Sequence, residues 1–307
     1  MQFQIVSHKD IDINKWDNLL IDHNATQSQY SSFDYISSCC ENWSAFIYGD
    51  YVSAFPFAHK NKMGYQVVFQ PFFTRNFPFL GKDNKGFIDE VFQYLYENYN
   101  HLDINLAVQL NYSFLKTKKF FFQGLELDKD YDLLHQAFSK NTKRILKKAQ
   151  KLTIQNSDDI KAFLTLFKNT VGNKLNYKEE NYNALYNVIK NGISNNTIEF
   201  LKINKENEVL GYAVFQSHGN IINFIKGAVT NNGKKLGAMH VLINYCILQN
   251  ANANKVLDFG GSNIKGVAEF YKKFGATDFA YYNYSFDRLP TLLKKFKRIR
   301  AFLFKKV

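Results

Sequence analysis

The sequence predicts an α+β fold of two similarly ordered halves with mixed sheets, followed by a basic C-terminal helix. Three observations carry that prediction. A three-strand meander pattern occurs twice. Each meander is preceded by helix-like segments and succeeded by a helix and one more strand, which reads as an internal duplication. The 307-residue chain also has only four prolines and no Gly/Ser-rich stretch, so no flexible linker separates the halves.

In chain order, helix-like periodicity covers 11–22 and 31–41. Residues 44–70 then alternate and break as a meander, with turns at Gly49-Asp50 and across 59–64. A helix over 85–99 and a strand over 102–108 close the first half. The second half repeats the order with helices over 158–171 and 179–191 and strand-like runs over 198–203, 209–217 and 221–228. A helix over 234–249 and a strand over 255–259 complete it. The resulting division is a first domain at 1–138, a basic connecting helix at 139–151, a second domain at 152–287 and a basic amphipathic tail helix at 288–307.

With 46% apolar residues the chain is too hydrophobic for a disordered protein, and no run reaches the roughly 18 apolar residues of a membrane-spanning helix. The start lacks the basic-then-apolar order of a signal peptide, so the expectation is a soluble, cytoplasmic protein. Cys39, Cys40 and Cys246 make no disulfide framework and read as small buried hydrophobes. The seven histidines form no ligand pattern, so no metal is expected.

The net charge of +12 is local. Residues 139–151 carry six basic side chains and residues 288–307 carry eight, with no acid in either, whereas the rest of the chain is slightly acidic. On the junction helix Lys140, Arg144, Lys147, Lys148 and Lys151 recur at spacings of three and four. Like charges so placed repel by roughly 0.2–0.5 kcal/mol per pair unless an anion offsets them. In the tail, Leu292, Phe296, Ile299 and Leu303 form an apolar stripe among basic residues. Such a helix lies on an anionic membrane or beside RNA, or docks its stripe on the protein body.

Residues 256–276 read as a buried strand, a glycine turn and a short helix ending at Gly275. Asp258 stands at the strand end. Gly260 and Gly261 allow close backbone approach, and Ser262 or Asn263 can cap the helix. Val267, Phe270 and Phe274 share one helical face while Tyr271 is turned about 100° from Phe270. A phenol there can donate a proton to a leaving group, or can simply pack with its hydroxyl at a wet edge. The stretch NNGKKLGAMH also suits an anion: Gly233 permits an unusual turn, Lys234 and Lys235 add charge, and Leu236, Gly237 and Ala238 lead into a bare helix N-terminus.

The segment AEFYKKFGA resembles the signature near the end of the GNAT acyltransferase fold, and the chain as a whole resembles the duplicated-GNAT group related to the FemABX aminoacyltransferases. Four stretches carry the resemblance: SAFPFAHKNKMGYQVVFQPFF, LELDKDYDLLHQAFSKNTKRILKKA, NNGKKLGAMHVLINYCI and LDFGGSNIKGVAEFYKKFGA. It implies two tandem GNAT-like domains and transfer of an acyl group from acyl-coenzyme A or aminoacyl-tRNA to an amine, in cell-envelope or peptidoglycan-type biosynthesis. It implies Tyr271 as the acid, Asp258 for deprotonating or polarising the amine, and residues 233–238 as a phosphate loop. Lys140, Arg144, Lys147, Gly260, Gly261 and Ser262 would bind substrate, with Arg144 suited to bidentate phosphate contact. Two departures stand out. Tyr271 occupies the position of a lysine common in tRNA-dependent members, and the loop has lysine first and methionine last where coenzyme A enzymes have [RQ]-x-x-G-x-[GA]. The competing expectation is a non-catalytic module that grips an anionic glycolipid, nucleotide-sugar or RNA at the inner face of the membrane.

Overall fold

The structure is a computed structural model and describes residues 3–21, 29–82, 85–175, 177–260 and 264–290. The first half contains β1 (Phe3–Ser7), α1 (Ile13–Ile21), α2 (Phe33–Cys39), β2 (Trp43–Tyr48), β3 (Ser53–Lys62), β4 (Tyr65–Phe69), the short β5 (Leu80–Gly81), α3 (Lys85–Asn98), β6 (His101–Leu106) and β7 (Lys116–Glu126). Helices α4 (Tyr131–Gln136) and α5 (Lys140–Lys148) lead to β8 (Thr153–Asn156), α6 (Ile160–Thr170) and α7 (Glu179–Ser194). The second meander is β9 (Ile198–Lys205), β10 (Glu208–His218) and β11 (Ile221–Val229). After it come α8 (Asn231–Leu236), α9 (Ala238–Gln249), β12 (Val256–Asp258), α10 (Lys265–Lys272) and β13 (Thr277–Asp287).

Local chemistry sets these boundaries. Side chains of Ser32, Asp130, Ser139, Asp159 and Thr230 each accept a backbone N–H from the first turn of the helix they precede. The β3–β4 turn lies at Met63 and Gly64, which both have positive φ, so β3 runs on through His59 to Lys62. The helix expected over 234–249 is two helices, because Gly237 adopts φ +78° between them.

The strands form one mixed sheet in the order β1-β2-β3-β4-β6-β13-β7-β12-β11-β10-β9-β8, with β5 attached to β3. The sequence of elements repeats, but the last strand of each half is exchanged. β7 pairs with β12, β13 pairs with β6, and β7 and β13 pair with each other antiparallel along Lys116–Gly124 and Thr277–Ser285. The cores obey the exchange. Tyr284 and Phe286 of β13 are buried in the first-half cluster with Trp16, Trp43, Phe46 and Phe92. Leu125 of β7 belongs to the second-half cluster beneath α9, and Tyr30 and Tyr35 pack with α6 and α7 on the opposite face. Among the described residues no helix is long and apolar enough to cross a membrane.

Of the tail expected at 288–307, only Arg288 to Pro290 are described, and they are not helical. Arg288 donates to the carbonyls of Tyr96 and Tyr99 at the end of α3, and its backbone N–H donates to Asn100 O at 2.8 Å. The stripe from Leu292 to Leu303 lies outside the described residues.

Truncation distinguishes the exchanged strand from the residues C-terminal to it. A chain ending at Ala276 lacks β13, leaves β6 and β7 without a shared partner and removes Tyr284 and Phe286 from the core, so it should lose its cooperative thermal transition by circular dichroism. A chain ending at Pro290 keeps every strand pairing and should melt cooperatively like the full-length protein.

Candidate functional site

β11 and β12 run parallel but pair at only three positions, Ile221–Asn223 with Val256–Asp258, while β11 continues to Val229. Past Asp258 the chain turns at Gly260, whose φ is +78° and whose missing Cβ would lie 3.3 Å from Phe224 O. The strands therefore part, and a cavity of about 180 Å³ opens in the wedge. The matching gap in the first half is filled. Beyond the β4–β6 pairing, Phe77 bridges to Leu106, donates its N–H to Asn105 O at 2.9 Å and is 1% exposed.

A bulge arms the open wedge. Val214 pairs with Lys226 and Phe215 with Phe224, so Ile225 is an extra residue on β11. Ile225 and Ala228 pack into the α6–α7 cluster, whereas Phe224 packs beneath α9 and a Cβ on Gly227 would meet Met239 on that same side. The extra residue thus moves Lys226 onto the face shared with Asn223, Ile225 and Phe73, with Nζ 5.5 Å from the Phe73 ring. No acidic side chain lines the cavity among the described residues, and burial pulls the Lys226 ammonium down to about 8. Asn223 is 1% exposed, and neither atom of its amide has a hydrogen-bond partner among the described residues. A second cavity of about 350 Å³, lined by Lys60, Lys62, His101 and Asp103, shares Asn105 as a wall with the first.

The other cation of the wedge is paired. Arg75 forms an ion pair with Asp258, and its guanidinium lies 3.6 Å from the centre of the Phe122 ring on β7. Asp258 Oδ1 also accepts the Gly260 N–H at 2.8 Å, and the carboxylate is 2% exposed. This geometry ties Asp258, the residue expected to deprotonate or polarise the amine, to Arg75 and to the turn at Gly260.

Tyr271 lies on the buried face of α10 with Phe274, stacked on Phe259 at 4.5 Å and edge-on to Phe224, a residue of the cavity lining, at 6.2 Å. Burial, and after it the charge of Asp258, pushes its phenol well above the ordinary value and keeps it protonated. Gly260 lines the cavity, while Gly261 and Ser262 lie outside the described residues.

Gly233 is not a turn residue. It sits inside α8, and a Cβ there would be 2.3 Å from Leu210 O. Gly237 and Ala238 are buried, with Ile145 of α5 directly over the start of α9, 2.3 Å from where a Gly237 Cβ would be. At the helix start read as bare, Ile145 of the junction helix thus packs against Gly237. Lys140, Arg144, Lys147, Lys234 and Lys235 remain exposed on α5 and α8. Sequence reasoning misses Arg75, Asn223 and Lys226. Their one visible signal is a cation inside an apolar run, PFFTRNFPF and IINFIKGAV.

The chain superposes on FemX with a TM-score of 0.65 at 14% identity, covering 89% of this chain and 96% of that one. On L-PGS from Bacillus licheniformis the TM-score is 0.56 at 13% identity, with coverage of 92% and 94%. On a tandem GNAT protein from the clavulanic acid biosynthesis pathway it is 0.50 at 11% identity, with coverage of 94% and 99%. No protein-family model and no curated protein matches the sequence. The fold is the duplicated GNAT fold of the FemABX type.

The charges of the wedge set two stability outcomes. Asp258→Asn leaves Arg75 buried without its counter-charge and should cost about 3–5 kcal/mol in denaturant unfolding, whereas Arg75→Met combined with Asp258→Asn should cost less than the two single changes together. Lys226 has the opposite sign. Its folded pKa of about 8 lies below the ordinary 10.5, so the unfolded chain binds more protons between those values and stability rises with pH across that window. Lys226→Met should therefore melt at a higher temperature than wild type at pH 7, and the gap should close toward pH 10.5.

Proposed function

We propose that the chain is an acyltransferase that moves an acyl or aminoacyl group from a thioester or ester donor to an amine, with the reacting acyl end in the wedge between β11 and β12. The observation that carries this reading is the open wedge between β11 and β12, walled by residues of both halves and lined by a buried Asn223 amide that has no hydrogen-bond partner among the described residues. A cavity of about 180 Å³ holds an acyl end and leaves the rest of either reactant outside. The adjoining cavity at Lys60 and Lys62 offers a path for the acceptor.

The amine nitrogen attacks the acyl carbon, the carbon–sulfur or carbon–oxygen bond breaks, the amine gives up a proton, and the leaving thiolate or alkoxide takes one. Positioning supplies most of the rate in such a transfer. Tyr271, held protonated, is the proton donor in this reading. The donor is acyl-coenzyme A or aminoacyl-tRNA, and the exposed basic faces of α5 and α8 would meet its phosphates. A cytoplasmic protein touching the inner membrane face through residues 291–307, with an amine-bearing envelope precursor as acceptor, fits the same reading.

A second reading, a non-catalytic anion-binding module, is favoured by the exposed basic side chains of α5 and α8 together with a loop that departs from the coenzyme A pattern. Assays with acetyl-coenzyme A, longer acyl-coenzyme A and charged tRNA, each with a panel of amines, separate the two. Under the enzyme reading Tyr271→Phe should keep the fold and lower turnover by about 10²-fold or more. Equal rates for variant and wild type would remove Tyr271 from the mechanism, and binding of a donor without any transfer would leave the binding module standing.

A further inference from the structure

We propose that the wedge selects a reactant bearing a small carboxylate, held by the ammonium of Lys226 and the side-chain amide of Asn223, and rejects a cationic group. This rests on the reading of the wedge as the seat of the acyl group or its acceptor, and it names the chemistry that seat accepts. Among the described residues two cations line the cavity, and of these Arg75 has a counter-charge, because Asp258 is bound to it and to the Gly260 N–H. What remains is one positive charge on Lys226, which the β11 bulge has turned onto the face of Asn223.

Asn223 adds a second requirement. A buried amide with neither atom paired costs free energy unless a ligand satisfies it. A carboxylate oxygen accepts from Asn223 Nδ2 while the other oxygen meets Lys226, and the ligand's own N–H or O–H serves Asn223 Oδ1. A molecule carrying both an anion and a neutral donor, such as a hydroxy acid or the half-amide of a dicarboxylic acid, answers all three groups. An ammonium or guanidinium in the same place meets Lys226 with no acid to balance it. Ring faces of Tyr30 and Phe73 close the sides, which suits a short carbon stem. The site therefore opposes donors that would place a free α-ammonium in the wedge and favours acyl groups or acceptors that place a carboxylate there.

Direct binding tests this without any donor or turnover. Saturation-transfer NMR and calorimetry with succinate, β-alanine, acetate and putrescine should show the carboxylates binding at millimolar concentration and putrescine not binding. Succinate should bind more tightly than β-alanine, whose ammonium meets Lys226 with no acid to balance it, and the reverse order would count against rejection of a cation. Lys226→Met and Asn223→Leu should each weaken carboxylate binding by about tenfold or more, while Lys226→Arg should retain most of it. Lys226→Met relieves burial of a charge and should stay folded, so its loss of binding reads on the site. Absence of carboxylate binding, tighter binding of putrescine, or unchanged affinity in Lys226→Met would each overturn the proposal. A protein that binds carboxylates through Lys226 but transfers nothing would sink the transferase reading alone, and one that transfers acyl groups yet ignores these probes would sink the carboxylate proposal alone.

Discussion

The exchange of final strands is the constraint on which the rest of this molecule depends. Because β13 lies between β6 and β7, and β7 between β13 and β12, neither half can complete its sheet from its own chain. The pairing carries side chains with it. Phe122 comes under Arg75, Tyr281 reaches the wedge, and Asn283 Nδ2 donates to Asp103 Oδ1 at 2.7 Å and Asn105 Oδ1 at 3.0 Å. A wedge formed by two second-half strands is thus walled by first-half residues 73–75 and 105. In a protein of independent domains those walls would depend on a mobile interface, whereas here backbone hydrogen bonds set their distance.

Within that frame the charges divide unequally. A guanidinium and an ammonium that line one cavity are both poorly solvated there. Asp258 neutralises the first and is held in place by a backbone N–H, and Phe122 covers the guanidinium face. Among the described residues no acidic side chain of the cavity answers Lys226, whose Nζ lies 5.5 Å from the Phe73 ring and whose proton affinity is lowered by burial. A folded protein gains no stability from leaving a lysine and an Asn223 amide unsatisfied side by side. The arrangement makes sense as part of a ligand site, since binding there supplies the missing partners and the cost of the empty site becomes selectivity for what fills it.

The repeated order of elements is legible in the sequence because meanders and amphipathic helices obey local periodicity. The two strands at the centre are not legible. β7 begins KTKK with both faces exposed, so it shows no alternation, and β13 mixes Asp, Asn and Ser with aromatics because its two ends serve different halves. Gly237 reads as a phosphate-loop glycine, yet its positive φ serves to break a helix and seat Ile145. Tyr271 is marked by its motif, but its burial depends on Phe259 and Phe224, which no spacing rule connects to it. Lys226 is hidden for a related reason: a strand register predicts its facing only if the bulge at Ile225 is known, and one extra residue reverses it.

The start of α9 bears on how phosphates would be held. Amides fixed at a helix end bind an anion with oriented dipoles and lose little strength to salt, because the site is partly enclosed. Here Ile145 packs against Gly237 at that end, and positive charge lies on long exposed side chains of α5 and α8. Arg144 donates to Asn141 Oδ1 at 2.9 Å and Lys143 to Gln136 O at 3.0 Å, both on or beside their own helix, and none of the ion pairs among the described residues engages Lys140, Arg144, Lys147, Lys234 or Lys235. Such charges attract an extended polyanion over a broad surface and fix it poorly. On the transferase proposal, discrimination between reactants falls to the small wedge with its bulge-turned lysine, while the basic surface contributes attraction that fades as ionic strength rises.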